Sequence, residues 1–519
     1  MNKNITKFTL VTTGAVLFNL LFWHEKLGLN TVLYDLFILS ALFSLYPQSL
    51  HSGTVRWLVL AHLICLSMVV FHNTPLSKTG FIVTLCMLAP FAEYVHRSAW
   101  FAGGSMVMNI LFMMASYVES TLHVRTGKVK RKPVARIIRF TIFPLLILLV
   151  FFIIYSSANN AFAQLADQLG QQVASFFENY FELFSPQRLL FLLLGLFITG
   201  AILLKSRTNW FSQKEATCTD ALQRERLPLK DRRNSTFPVV IEAILGRLAK
   251  GMMALKNENT TGIISLALLN LLLLIVNIID IRFLWFNFEY NENEPVYKMV
   301  HEGTELLIAS IVLAMAILLF FFRGNLNFYR RNKWLKYGAY AWILQNVVLV
   351  MSVCIRDYYY IARHGLAYKR IGVLFFLLMV MIGLLTVFIK IANKKTNYYL
   401  LRVNAWAGII ILTLSTTVHW DLFIARYNLQ RKDKVALDVP FLLSLSDKTL
   451  PLLDQNKAAL QKMEQAVPAQ IVNGVCINCY TEMLQKRRED FFSKQEELSW
   501  LSWNYPDEYT RKYFGEKIQ

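Results

Sequence analysis

Charge is scarce in this chain. Asp, Glu, Lys and Arg make up 17% of its 519 residues, against roughly 25% in soluble domains. Six cysteines are too few to build a disulfide scaffold. GxxxxGKS/T, HExxH, GxSxG and GxGxxG are all missing. P-loop, zinc-protease, hydrolase-elbow and dinucleotide chemistry are thus left without a motif. An alternating apolar and polar strand pattern is missing too, which excludes an outer-membrane type of β-barrel.

Apolar residues fill the gap. They make up 55% of the chain, with 38 Phe, and mean hydropathy is +0.40. That excludes a disordered chain. Continuous apolar runs recur at 8–23, 29–46, 55–72, 79–95, 98–120, 137–157, 189–204, 261–285, 303–322, 337–355, 371–390 and 403–420. A helix needs roughly 20 such residues to cross the hydrocarbon core. In lipid every backbone N–H and C=O needs an internal partner, so these runs are expected to be helices. The fold class is all-α: a polytopic integral membrane bundle of about twelve transmembrane helices with a helical C-terminal extramembrane tail. Four regions are expected. Residues 1–120 hold an N-terminal group of spans, and 121–260 hold two spans, an outer amphipathic segment and a basic loop. Residues 261–420 hold a C-terminal group of spans, and 421–519 form the tail. The first run follows Lys3 and Lys7 as a signal peptide does. Asn19–Trp23 offers no small-residue cleavage pattern, so this run is read as retained.

The charge that is present is lopsided, with a formal net charge of +20. A basic chain invites a nucleic-acid reading, but these charges flank spans. Loop 121–139 holds seven basic residues and no acid; 205–260 holds eleven and six; 323–336 holds five and none; 390–402 holds four and none. Loops 158–188 and 286–302 are net acidic. The positive-inside rule places the four basic stretches in the cytoplasm. Residues 158–188, 286–302 and everything after 420 then face outward. The partner implied is the lipid bilayer, with anionic headgroups at the basic loops and no nucleic acid. Counting spans places the N-terminus outside, against Lys3 and Lys7, unless one early segment fails to span.

Residues 159–184 and 237–256 read as amphipathic helices on the outer and inner interfaces. The alternative for each is a connecting helix packed on the bundle. The tail carries 14 basic and 14 acidic residues and reads as two or three helices. Cys476-Ile477-Asn478-Cys479 is its CxxC. Zinc needs four ligands and no second pair lies in the tail, so no metal or cofactor is expected. A local disulfide suits an outer location.

Ionisable groups within spans are costly and mark either function or a structural pair. They are Asp35, His62, Glu93 with His96, Glu119, Asp280 with Arg282, and Glu305 with His301. Asp35, Glu93, Asp280 and Glu305 are the candidate intramembrane carboxylates. Asp35 stands out because no cation neighbours it in sequence. It must be protonated, paired across helices, or beside water. Asp280 and Arg282 point about 200° apart on a helix, so each needs a partner from elsewhere. Trp23, Trp57, Trp100, Trp285, Trp334 and Trp420 sit at or near span ends as an aromatic belt. Trp500, Trp503, Tyr505 and Tyr509 are expected to dock the tail on the bundle.

Several stretches carry a family resemblance: Phe22–Asn30, Leu366–Val373, Asn397–Asn404, His419–Asn428, and Leu437-Asp438 with Leu442–Asp447 and Leu450-Pro451. In them the chain resembles an uncharacterised bacterial family of polytopic membrane proteins. It is a domain of unknown function of the 4153/4173 type, here in a Bacteroides-like version. The resemblance implies a bacterial inner-membrane protein and supplies no activity. The same stretches bring His24, Glu25, Tyr368, Lys369, Arg370, Trp420, Asp421, Arg426, Tyr427 and Asn428 near span ends as a candidate polar cluster. The loop charges put 24–30 on the opposite side from the other members.

Three function classes fit. A non-enzymatic sensing, scaffolding or envelope-maintenance protein predicts a packed bundle. A secondary transporter using intramembrane carboxylates predicts a water-filled cavity at Asp35 or Glu305. A membrane enzyme acting on lipid or glycan predicts a groove open to lipid beneath the polar cluster. The lack of a catalytic constellation favours the first.

Overall fold

The computed structural model describes residues 3–94, 96–124, 160–180, 185–206, 209–223, 254–286, 296–322, 325–431, 437–466, 471–472, 475–476 and 479–516, with short pieces of 144–156. Among the described residues nine helices are long and apolar enough to cross a membrane, and Leu29–Leu45 and Leu307–Phe321 are shorter apolar helices. These eleven coincide with eleven of the twelve expected segments. The twelfth, 137–157, lies mostly outside the described residues, as does the expected inner helix 237–256. The protein is an all-α multi-pass membrane bundle.

In chain order the helices are α1 (Lys3–Phe22), α2 (Leu29–Leu45), α3 (Gly53–Phe71), α4 (Pro75–Glu93), α5 (Ala99–Val124), α6 (Asn160–Tyr180), α7 (Pro186–Leu203) and α8 (Trp210–Ala216). Then come α9 (Ala254–Asp280), α10 (Val296–Phe321), α11 (Lys333–His364), α12 (Tyr368–Ala392), α13 (Asn397–Thr416) and α14 (Trp420–Gln430). The tail adds α15 (Val439–Ser444), α16 (Leu450–Gln455), α17 (Lys457–Ala466), α18 (Tyr480–Glu496) and α19 (Tyr505–Glu516). They form two compact units: residues 1–216, 412–419 and 486–519, and residues 217–411 and 420–485.

In the first unit α1 and α7 lie antiparallel and close. Gly14 makes this possible, because a Cβ there would lie 2.4 Å from Thr199 Cγ2. Small residues let membrane helices approach where lipid supplies no hydrophobic drive. α4 starts at a capping box: Ser77 N donates to Thr74 Oγ1 at 3.2 Å, and Thr74 N donates to Ser77 Oγ at 3.0 Å. With Pro75 at the first helical position, the α3–α4 turn is closely specified.

Residues 499–504 of the tail dock on the α1–α2 turn. Lys26 N donates to Ser502 Oγ at 2.7 Å and Leu29 N to the Trp503 carbonyl at 3.0 Å. Glu25 accepts from Ser499 N at 3.3 Å and from the Ser502 hydroxyl. Gly28 lies beneath, where a Cβ would sit 2.6 Å from the carbonyl oxygens of Ser502 and Trp503. The turn and the tail therefore share one end of the unit, which corrects the expectation that they lie on opposite sides. α5 passes Ser206 at Asn109 and Gly200 at Met113, so it runs toward that same end. α7 starts there, with Arg188 beside Asn19. α5 and α7 thus end at opposite ends of the unit, which does not fit the expectation that the basic stretches after both face the cytoplasm. Loop charge does not encode helix parity, whereas the contacts do.

The second unit packs around Leu266, Ile311, Leu318, Leu349, Val350 and Leu384. A polar ladder joins α9 to α11. Gln345 Nε2 donates to Asn270 Oδ1 at 2.7 Å, Asn270 Nδ2 to the Gly338 carbonyl at 3.0 Å, and Asn277 Nδ2 to the Gln345 carbonyl at 3.1 Å. Trp285 Nε1 donates to Ser352 Oγ at 3.1 Å. Gly338, Gln345 and Ser352 recur every seven residues, so they share one face of α11. In the tail, Ile471–Val472 and Val475–Cys476 pair as a two-residue antiparallel hairpin. Cys479 is disulfide-bonded, while Cys65, Cys86 and Cys354 are free thiols.

Candidate functional site

α2, α3 and α4 bring three polar side chains together at the centre of the first unit. Asp35, His62 and Thr84 are each 0% exposed. His62 Nε2 lies 3.0 Å from Asp35 Oδ1, and His62 Nδ1 lies 2.9 Å from Thr84 Oγ1. The His62 ring stacks on Phe81 at 5.2 Å. The Thr84 hydroxyl donates to the Gly80 carbonyl at 2.7 Å. Its one proton is thus committed to its own helix, and its oxygen accepts from Nδ1–H. That assignment comes from the hydrogen-bond network. The Nε2–Oδ1 contact then holds a single proton, carried by either the imidazole or the carboxyl. Asp35 Oδ2 has no hydrogen-bond partner among the described residues.

A polar line continues from this pair toward the tail end. His62 and Cys65 share one face of α3, and His72 caps its C-terminal end. Cys65 Sγ lies 3.9 Å from Thr416 Oγ1, and His72 Nδ1 lies 3.0 Å from the Thr416 carbonyl. The His72 and His419 rings meet edge-on at 5.5 Å. Phe71, next to His72, meets Tyr505 of the tail at 6.4 Å.

A second polar group closes the opposite end of this unit. Asn109 Nδ2 donates to Glu93 Oε2 at 2.5 Å, and Lys205 Nζ donates to the Glu93 carbonyl at 2.9 Å. Burial holds Lys205 below its ordinary value, against the attraction of Glu93. Burial pushes the Tyr94 phenol up to about 12, although Asn209 opposes it. His96 does not pair with Glu93. Its Nδ1 meets Glu215 Oε2 at 2.6 Å and its Nε2 meets Ser105 Oγ at 2.8 Å. Serine, imidazole and carboxylate in this order form a nucleophile relay where substrate can enter. Here Ser105 is 0% exposed and also lies 3.1 Å from Asn209 Oδ1. The group instead ties α8 to α5.

The other sequence candidates fall as follows. Asp280 pairs with Arg356 of α11 at 2.5 Å, not with Arg282. Glu305 lies on α10 with its side chain outside the described residues. His24 is exposed and Glu25 holds the tail. In the second unit Asn428 grips Leu366, accepting from its N–H at 2.6 Å and donating to its carbonyl at 2.9 Å. Asp421 accepts from Ser446. Arg370 donates to the carbonyls of His364 and Gly365 and lies 4.3 Å from the Tyr360 ring centroid. Trp420 meets Phe375 edge-on, and Tyr427 lies under Arg431. Tyr368, Lys369 and Arg426 are exposed. Asn428, Asp421 and Arg370 fasten the α11–α12 turn, α14 and the tail through separate hydrogen bonds.

Sequence reasoning missed Thr84, Asn109, Glu215 and Arg356, which are partners without a motif. It also missed Lys390, 1% exposed, whose Nζ donates to the carbonyls of Phe322 and Lys395 at 3.0 and 3.2 Å. Among the described residues no three His, Cys, Asp or Glu side chains are grouped for a metal ion. A family model described as "Domain of unknown function (DUF4153)" matches residues 36–456. No curated protein and no solved structure matches the chain.

Proposed function

For a chain that belongs to the DUF4153 family, we propose a non-enzymatic sensing role in the bacterial inner membrane. The input is the proton shared by Asp35 and His62, and the output is the fit between α3 and the docked tail. The observation that carries this is the complete burial of an acid and a base that hold one proton between them. Moving charge within a dry apolar bundle is expensive, so the protonation state of such a pair biases how its helices pack. α3 carries both the sensing imidazole and Phe71, the ring under Tyr505.

A transporter calls for water beside Asp35, and the complete burial of that carboxyl favours the sensing role instead. For orientation, the N-terminus faces inward with Lys3 and Lys7, as the positive-inside rule asks, and the tail end faces outward, although the basic stretch that follows α5 then starts on the outer end. The disulfide at Cys479 suits that oxidising side. The test is limited proteolysis of the tail in the full chain across a pH series. Cleavage should change with pH in the wild type and stay constant in Asp35→Asn. A pH response that survives Asp35→Asn would rule the role out.

A further inference from the structure

We propose that the cleft between the end of α18 and α19 is a headgroup site for an ethanolamine phospholipid. The cleft has a volume of about 260 Å³ and is lined by Trp500, Trp503, Asp507, Glu508 and Arg511, among others. Trp500 is 67% and Trp503 40% exposed. Exposed indoles beside carboxylates make a cation site, because the ring face and the carboxylate both attract an ammonium group. The cleft also has a rigid base. Its floor is pinned to the α1–α2 turn through Ser502 and the Trp503 carbonyl, so little ordering is needed on binding.

Its depth identifies the ligand. Phe71 is the last residue of the α3 span, and it is exposed. The Tyr505 ring lies 6.4 Å from it, and Tyr509 stacks on Tyr505 at 6.5 Å. Asp507 is in electrostatic reach of Lys78 on the first turn of α4. The cleft therefore sits where a span meets the headgroups, the level that Trp and Tyr prefer.

A ligand here meets both signs of charge. Asp507 calls for a cation, while Glu508 is held by Arg511 and by Lys512 at 3.6 Å. Arg511, held by Glu508 at 2.8 Å, offers donors to a phosphate. Phosphoethanolamine carries an ammonium and a phosphate two carbons apart and satisfies both. A glycerol headgroup offers no cation, and a neutral sugar uses only the indole faces.

The test is native mass spectrometry of the full chain in detergent micelles. The probes are dioleoyl phosphatidylethanolamine, dioleoyl phosphatidylglycerol and maltotriose. The ethanolamine lipid should be retained about tenfold more than the glycerol lipid, the size of one cation–π contact with its carboxylate partner. Trp500→Ala and Asp507→Asn should each remove most of that preference, while Trp500→Tyr, which keeps a ring, should hold it. Trp500 is exposed, so its loss leaves the fold in place. Equal retention of the glycerol lipid, or unchanged preference in both Trp500→Ala and Asp507→Asn, overturns the proposal. Retention of maltotriose instead overturns it in favour of a glycan. Asp35→Asn should leave lipid retention unchanged, so this site and the proton-sensing role fail separately.

Discussion

Each unit of this bundle holds a polar centre between its helices, and the two centres are built from different chemistry. The second unit uses amides and carbonyls: Asn270, Asn277 and Gln345 between α9 and α11. Amides carry no ionisable proton, so this ladder is glue whose strength is the same at any physiological pH. The first unit places an acid and a base, Asp35 and His62, in the corresponding dry setting. A membrane protein needing only cohesion is served by the amide ladder. The acid–base pair is the input of the proposed sensing role, at the cost of burying an ionisable group.

That contrast can be broken by substitution. His62→Leu strands Asp35 in an apolar bundle, and removing one member of a buried pair costs about 3–5 kcal/mol. Asp35→Leu combined with His62→Leu should recover most of that loss. Unfolding in mixed micelles measures both, and a double variant no better than His62→Leu would remove the pair from the account. Gly28→Ala comes next. Its Cβ overlaps the Ser502 and Trp503 carbonyls, an overpacking worth about 1–3 kcal/mol. Tail proteolysis should speed up, and an unchanged rate would mean the tail is held elsewhere. Asn270→Leu should cost about 0.6 kcal/mol, typical of hydrogen bonds between membrane helices, and equally at about pH 5 and pH 8. A pH-dependent loss would erase the distinction between the two centres.

A further effect lies outside the spans. The Tyr94 phenol is raised in the folded state from 10.0 to about 12 by burial. Its stabilising contribution is whole below the unfolded value and is lost as pH rises through the folded one. Tyr94→Phe should therefore flatten the fall in stability between about pH 10 and pH 12, read by alkaline unfolding.

Much of the fold was legible in the sequence because lipid imposes a simple rule on length and composition. Eleven of twelve apolar segments coincide with helices for that reason. Sidedness was not legible in the first unit. Parity depends on which ends meet, and Glu25 with Ser502 reports that only after folding. Asp35 was legible as an isolated carboxylate, and His62 as an isolated base. Their pairing was not, since 27 residues and a turn separate them and no spacing rule joins residues on different helices. Thr84 gave no signal at all, because a threonine in an apolar helix is ordinarily back-bonded to its own turn. The candidate polar cluster was legible as residues near span ends, but its members serve separate local tethers.

Infrared difference spectroscopy of the full chain tests the shared proton most directly. The shared proton predicts a carboxyl band that changes with pH, shifts in His62→Gln and vanishes in Asp35→Asn. A carboxyl region that stays flat across the pH series, or a band that persists in Asp35→Asn, would contradict it.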